Sequence, residues 1–590
     1  MRRRPRGRRR SVGRGTCRPA IEPRNNHSGV PTLSSEAEGH TASGVKRKPL
    51  EDSTRSETLC MHEISTCENR EVPRSPVVPD QAAGRKGKAM PKPEMNGRGK
   101  SDSRVVPAKL PNNPVATGAE VVEERRLAKG NTGNPARPEP SVGPGVSQGL
   151  DRVRQVARRD KDAQFTALLH HVTPERLRAA YGALRSMAAP GVDGVTWKAY
   201  GENLEANLQD LHGRLNRGAY RAMPTRRVVI PKADGRERPL GIATVEDKIL
   251  QRAVAEVLNA IYEVDFLGFS YGFRTGRSPH DALDALTTGI LRKKVNWILD
   301  ADVADFFGSL DRSELMKFIE HRIGDKRVLR LIQKWLNAGV IEKGMWTDSA
   351  RGTVQGAAIS PLLANIYLHY VFDLWAQQWR NRRAHGDVIV VRFADDFVLG
   401  FEHRADAEQF QTDLRERLAK FNLELQAEKT RLIEFGRFAA SGRQKRGLGR
   451  PETFDYLGFT HICGQTRSGK FMVKRVTIAK RMRAKLKAVS HRLKQMRHRP
   501  IREQGKWLGS VVRGHFAYYA VPGNRSAMWT FRSQATKIWY KWLRRRSQRT
   551  RVTWPRMERI AARSLPLPTT LHPYPDARFD ARTRGRSPVR

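Results

Sequence analysis

The sequence predicts an α+β fold. Three observations carry the expectation. Between residues 225 and 465, short apolar runs of strand character alternate with amphipathic helical stretches, and no repeat of fixed period is present. Two of the apolar runs lead into aspartates, "NWILDADVADFF" and "DVIVVRFADDFVLGFE". From Lys474 onward the pattern is helical and very basic. At 590 residues the chain exceeds one ordinary domain, so several are expected.

The elements follow in order. Residues 1–149 are rich in Arg, Pro, Gly, Ser and Asn, with few aromatics. Such a segment cannot bury enough apolar surface to offset its ordering entropy, so disorder is expected. Residues 1–89 read as a basic extension, either upstream read-through or a tail, because "MNGRGKSDS" follows close behind Met90 as a natural start. Residues 90–149 read as a low-complexity linker, with order beginning near Gly149. "LDRVRQVARRDKDAQFTALLHHV" has helical spacing in Leu150, Val153, Val156, Phe165, Leu168 and Leu169. "PERLRAAYGALR" reads as a second helix, ended by the Pro/Gly-rich "MAAPGVDGVT". "RRVVIPK" is a strand, "ADGRERP" a turn and "VEDKILQRAVAEVLNAIYE" a long amphipathic helix. "SPLLANIYLHYVFDLWAQQW" is another long helix, with Ser360 as its cap and Pro361 in its first turn. "DVIVVRFADDFVLGFE" reads as two strands turning at the aspartates. "RADAEQFQTDLRERLAKFNLEL" is a helix and "FDYLGFTHI" a strand.

The formal net charge is +49, which on a soluble chain points to a polyanionic partner, nucleic acid above all. The four cysteines, Cys17, Cys60, Cys67 and Cys463, form no CxxC pair, which excludes a zinc ribbon and a disulfide scaffold and suits a reducing cytosol. No run of about 18 apolar residues is present to span a membrane. The basic start lacks the apolar core of a signal peptide.

A buried carboxylate is costly unless paired or bound to a metal. Asp395 and Asp396 sit together in an apolar run, and Asp300, Asp302 and Asp305 cluster at the end of another. Two strands delivering carboxylates to one point would make a site for hard divalent cations such as Mg²⁺. Taken alone, solvated turn acids would read the same way. Lys232 and Arg238 flank a tight turn and could clamp a triphosphate, or simply form a solvated basic hairpin. Gly352 and Gly356 lie in a loop before the helix at Ser360, where the absence of a side chain allows a base pair or a template strand to pass close to the backbone.

The succession "APGVDG", "IPKADGRERPLGI", "SYGFRTGRSPHDAL", "DADVADFF", "TVQGAAISPLLANIYL", "RFADDFV", "LQAEKT" and "FDYLGF" resembles the reverse transcriptases encoded by bacterial group II introns. The motifs run from about Asp151 to Thr460. The basic stretch with "FRSQATKIWYKWLRRRSQ" resembles that family's thumb and maturase region. The resemblance covers roughly residues 91–580. It implies a right-hand polymerase with fingers at 150–245, palm at 246–465, thumb and maturase domain at 466–560 and a basic C-terminal tail at 561–590. By motif it makes Asp302, Asp395 and Asp396 the catalytic acids holding two Mg²⁺ ions, with the Val303 carbonyl as a further ligand. Lys232 and Arg238 become the triphosphate pair. Phe307 becomes the gate against a ribose 2′-OH, Gln355 and Gly356 the motif beside the nascent pair, and Lys429 the aid to pyrophosphate departure.

There are departures from the family pattern. Phe393 stands where the family has Tyr before Ala-Asp-Asp, Gly308 replaces an Asp after Phe307, and Ala357 replaces a second Gly. The cysteine pairs of the family's endonuclease domain are missing, so an endonuclease-lacking type is expected. Residues 480–551 hold 21 Lys or Arg against one acid, Glu503, interleaved with nine aromatics from Trp507 to Trp542. Most of those aromatics are expected in a core, with Arg544, Arg545 and Arg546 facing RNA. The implied function is RNA-directed DNA synthesis and assistance to intron splicing and mobility. Intron RNA, target DNA or primer, and dNTPs are the expected partners, in the bacterial cytoplasm, with the state, monomer or homodimer, left open. Two alternatives are a catalytically idle splicing chaperone and a domesticated transcriptase serving antiviral defence or a CRISPR array. The intact acids speak against the first, and the lack of a fused partner domain against the second.

Overall fold

The structure is a computed structural model that describes residues 144–231, 237–342, 345–347, 352 and 356–583. All of these fall within one unit, Pro93–Arg590. The readings of residues 1–143, Lys232 and Gln355, and the side chain of Arg238, lie outside the described residues.

Eleven strands are described: β1 (Thr225–Pro231), β2 (Glu237–Ile242), β3 (Trp297–Asp302), β4 (Val340–Glu342), β5 (Met345–Thr347), β6 (Val388–Phe393), β7 (Asp396–Phe401), β8 (Arg431–Glu434), β9 (Phe454–Tyr456), β10 (Phe459–Gln465) and β11 (Phe471–Thr477). They form three sheets, ordered β2-β1-β4-β5, β6-β7-β3-β8 and β11-β10-β9. The mixed helix and sheet content agrees with the α+β expectation. In the central sheet, β6 has its first five residues buried and β7 its last five. A strand covered on both faces reads as a continuous apolar run, which is what "VIVV" and "FVLGF" are.

The helix Val245–Asp265 is capped by Thr244, whose hydroxyl accepts from Asp247 N. It is buried nearly all round, with Ile249, Leu250, Ala253, Leu258 and Ile261 fully covered. Each such Leu or Ile contributes about 1.5–3 kcal/mol of burial. The helix Pro279–Arg292 opens with a reciprocal capping box between Ser278 and Asp281. Residues 360–382 form one continuous rod in which five residues, His369–Asp373, take π geometry between α-helical halves.

Four local expectations are corrected. The helix read over 150–172 is Pro144–Arg159 and stops there. Arg322 and Asp325 claim the following segment: Arg322 Nη1 donates to the carbonyls of Asp160 (3.3 Å) and Ala163 (2.8 Å), and Asp325 accepts from Leu168 N (2.8 Å) and Leu169 N (3.0 Å). Ser360 is the first helical residue rather than the cap, a place taken by Ile359 without a side-chain bond. "FDYLGFTHI" is a hairpin, β9 to β10, because Leu457 (φ 44°) and Gly458 (φ 89°) turn the chain. The strand β11 continues to Thr477, so the basic helices begin at Ala479.

Those helices, Ala479–Gln495, Ile501–Tyr519, Arg525–Arg544 and Trp554–Ser564, close a core around Phe516, Phe531, Trp539 and Trp542. Most of the interleaved aromatics are thus core, as expected, while Trp529 is exposed. A last helix, Pro575–Thr583, is tied back by an ion pair between Arg578 and Asp284 (2.8 Å) and by the buried Phe579. No helix among the described residues is long and apolar enough to cross a membrane.

Candidate active site

The strands β6 and β7 are joined by two residues, Ala394 and Asp395, with Phe393 paired to Asp396. Such a tight hairpin needs positive φ, and Ala394 supplies it at 60°. For a residue with a Cβ this conformation costs about 1–2 kcal/mol, so the surroundings must hold it. On its other side β7 pairs antiparallel with β3, and the register sets Asp302 directly opposite Asp396. Asp300, two residues earlier on β3, shares their face.

Like charges placed directly across a ladder repel. Asp396 shows the consequence: burial first, then the charges of Asp300, Asp302 and Asp395, push its carboxyl up to about 8. Arg481, from the first basic helix, opposes that shift. Burial raises Asp300 to about 6, countered by Arg431, its partner across the β3–β8 ladder. Asp302 is engaged by the ammonium of Lys429 in an ion pair. Lys429 rides on a turn fixed to β3, since Gln426 N donates to the Asp302 carbonyl (2.8 Å) and Lys429 N to the Gln426 carbonyl (3.1 Å). Val303 is bridged to Leu425 across the same junction, with its side chain buried.

The structure therefore brings Asp302 and Asp396 together, with Asp395 in the adjoining turn and Lys429 on Asp302. Among the described residues no group of three or more His, Cys, Asp or Glu is arranged to hold a metal ion. The acids nonetheless fit one chemically. They are hard oxygen donors, crowded enough that one resists ionisation, and the nearest counter-charge is a lysine on a flexible stem.

After β3, Asp305 adopts φ 37° and opens a single helical turn, Phe306–Ser309. Phe306 is buried, and Phe307 is half-buried with its ring 5.4 Å from that of Phe306. A Cβ at Gly308 would meet only the carboxylate end of the exposed Asp305 side chain, which can rotate away. Gly352 (φ 83°) seats against the carbonyls of Phe307 and Gly308, where a Cβ would come within 2.7 and 2.8 Å. Gly356 (φ 114°) seats against the Gly241 carbonyl of β2, 2.7 Å from a Cβ. Both glycines are thus demanded by protein packing.

Arg544 and Arg545 are exposed at the end of the helix Arg525–Arg544, lying over the rings of Tyr540 (5.7 Å) and Trp542 (5.8 Å). Arg546 is half-buried and donates to the His498 carbonyl at 2.9 Å. Sequence reasoning passed over Arg392, whose guanidinium is wholly buried beneath the aspartate turn. The available signal was a lone cation inside an apolar strand, which must have a partner.

Residues 230–461 match the family model described as reverse transcriptase (RNA-dependent DNA polymerase). Protein YkfC of Escherichia coli K12 is 35% identical over 323 residues, a match that covers 49% of this chain and 84% of YkfC. The chain belongs to the group II intron type of reverse transcriptase. The group II intron-encoded protein LtrA of Lactococcus lactis is 34% identical over 222 residues, 37% of each chain. A 91 kDa protein in the cob intron of Schizosaccharomyces pombe is 42% identical over 146 residues, 25% of this chain and 18% of that one. The matched stretch thus spans little more than a third of LtrA and less of the cob intron protein. The family model takes in the whole central sheet, both aspartate strands and β9, and ends within β10 at residue 461.

Proposed function

We propose that this chain is an RNA-directed DNA polymerase with a right-hand arrangement of fingers, palm and thumb, and that it also assists splicing of a group II intron in the bacterial cytoplasm. The observation that carries the reading is the β3–β7 register, which sets Asp302 opposite Asp396 with Asp395 in the adjoining turn. The primer 3′-oxygen attacks the α-phosphorus of a dNTP, the α–β bridging bond breaks and pyrophosphate leaves. Asp302, Asp395 and Asp396, with the Val303 carbonyl, would hold divalent cations, two Mg²⁺ in this proposal, which supply Lewis-acid stabilisation of the developing charge. Lys429, on its turn beside Asp302, exchanges that carboxylate for the departing pyrophosphate. Phe307 stands at the wall where a sugar 2′-OH would intrude, and Lys232 with Arg238 grips the triphosphate. The basic helices hold intron RNA through phosphates, with Arg544 and Arg545 presented outward.

The test is primer extension on poly(rA)/oligo(dT) with dTTP and Mg²⁺. Extension that depends on the RNA template and the cation is expected. A folded, RNA-binding protein that extends no primer would overturn the reading and leave the splicing role alone.

A further inference from the structure

Arg392 ends the buried part of β6, three residues before Asp395, and none of its surface is exposed. A guanidinium has five N–H donors, and all five are used. Nε donates to Asp373 Oδ1 (2.7 Å) and Nη2 to Asp373 Oδ2 (2.6 Å). Nη2 also donates to Ser270 Oγ (2.7 Å), and Nη1 to Asn365 Oδ1 (3.1 Å). The remaining Nη1 donor reaches the carbonyl of Ala394 at 2.9 Å. That carbonyl belongs to the left-handed residue that turns the chain into Asp395.

The partners come from three separate segments. Asp373 closes the π-helical stretch, and a π turn inserted in an α-helix rotates everything beyond it, which here aims a fully buried carboxylate at Arg392. Asn365 lies about two turns earlier on the same rod and donates to the Gly272 carbonyl at 2.7 Å. The segment Ser270–Gly272 is laid beside β6 by backbone bonds from Arg392 N to Phe269 O and from Tyr271 N to Arg392 O, both 2.8 Å. Gly272 then sits directly under the Ala394 peptide, where a Cβ would collide with Ala394 N and lie 2.9 Å from the Phe393 carbonyl carbon. The strained turn is thus clamped from below by backbone and from behind by one guanidinium.

Resting on the polymerase reading, we propose that Arg392 is a positioning residue for nucleotide addition: through the Ala394 carbonyl it fixes the aspartate turn in the one orientation that presents Asp395 and Asp396. A core ion pair alone would need only Asp373. The bonds to Ala394, Ser270 and Asn365 connect the pair to the reacting centre. Because the guanidinium is saturated, no smaller cation can replace it, since lysine brings three donors to five acceptor positions.

The experiment compares wild type with Arg392→Lys, Ser270→Ala and the double variant Arg392→Met/Asp373→Leu in single-nucleotide incorporation. Thermal midpoint, KM for dTTP, primer-template Kd and the Mg²⁺ concentration for half-maximal rate are measured alongside. Replacing a buried ion pair by apolar residues of similar volume is often neutral for stability. The double variant removes both charges together but leaves the neutral acceptors of Ser270, Asn365 and Ala394 without the guanidinium, so its midpoint should fall by a few degrees while its kcat, measured well below that midpoint, stays at least about thirtyfold low. Arg392→Lys should lose a similar factor and need at least about threefold more Mg²⁺, with KM and primer-template Kd within about twofold of wild type. Ser270→Ala removes one oxygen and should fold normally, with kcat about threefold down. If the folded double variant keeps wild-type kcat, Arg392 is structural only and the proposal falls. If the other two variants do not fold, Ser270→Ala decides, and wild-type kcat and Mg²⁺ requirement in it overturn the proposal. A wild type that extends no primer sinks the polymerase reading and this inference together, whereas an active wild type with unaffected variants sinks only the inference.

Discussion

Replacing Asp396 by Asn should stabilise the metal-free protein, although it removes a residue placed at the reaction centre. The carboxyl of Asp396 is moved from the ordinary aspartate value of 3.8 to about 8, by burial and then by Asp300, Asp302 and Asp395. A raised carboxyl pKa means the folded state holds a proton that the unfolded state releases. Its contribution is fully present below pH 3.8 and is lost as pH rises toward 8. At pH 7 the accumulated penalty is about 4 kcal/mol at full weight, and about 2 kcal/mol once partial exposure is allowed for. An amide carries no charge and escapes it. The expected gain for Asp396→Asn at pH 7 is therefore a midpoint about 2 °C higher in EDTA. At pH 5 the gap should shrink to about a third of that, since most of the penalty accrues above pH 5. Adding Mg²⁺ should reverse the order, because only the full carboxylate set gains from the cation. Differential scanning calorimetry at the two pH values, with EDTA and with Mg²⁺, reads all of this. An Asn variant that melts with or below wild type in EDTA at pH 7 would refute the crowding of the carboxylates.

Other outcomes follow from the same geometry. Phe307→Ala should raise rNTP incorporation relative to dNTP in single-nucleotide assays, and an unchanged ratio would move the gate to Phe306, which lies behind it. Changing Arg544, Arg545 and Arg546 together to Ala should weaken RNA binding and reduce the slope of its salt dependence by about 2–3, two exposed arginines and one half-buried contributing. A filter-binding titration at several salt concentrations checks it. A chain starting at Met90 should bind RNA and extend primers within about tenfold of the full chain, tenfold being about 1.4 kcal/mol, the scale of a few arginine–phosphate contacts.

Much of the site was legible because strand periodicity and charge act locally. An aspartate at the end of each of two apolar strands announced Asp302 and Asp395-Asp396, and the β3–β7 register needed only those strands to pair. What escaped depends on contacts distant in sequence. Arg392 meets Asp373 nineteen residues back, on a rod whose π turn no spacing rule reveals. The helix expected through Leu169 fails at Arg159 because Arg322 and Asp325, far along the chain, bind the backbone that follows. Gly352 and Gly356 were recognised as special positions, yet their neighbours, the carbonyls of Phe307, Gly308 and Gly241, are set only by the fold. The β9–β10 hairpin was hidden by Leu457 in a left-handed conformation that leucine seldom adopts.

The most direct test changes Asp395 and Asp396 together to Asn and measures two activities on the same preparation: primer extension on an RNA template, and splicing of the intron RNA at low Mg²⁺. The substitution nearly preserves side-chain volume and relieves mutual repulsion, so folding should survive. Polymerisation should fall by at least about a thousandfold with the loss of charge stabilisation at the reacting phosphate. Splicing assistance requires only that the basic surfaces hold the RNA, and should stay within about twofold of wild type. Extension that persists in the double variant, or loss of both activities in a protein that remains folded, would contradict the assignment of these aspartates to polymerisation alone.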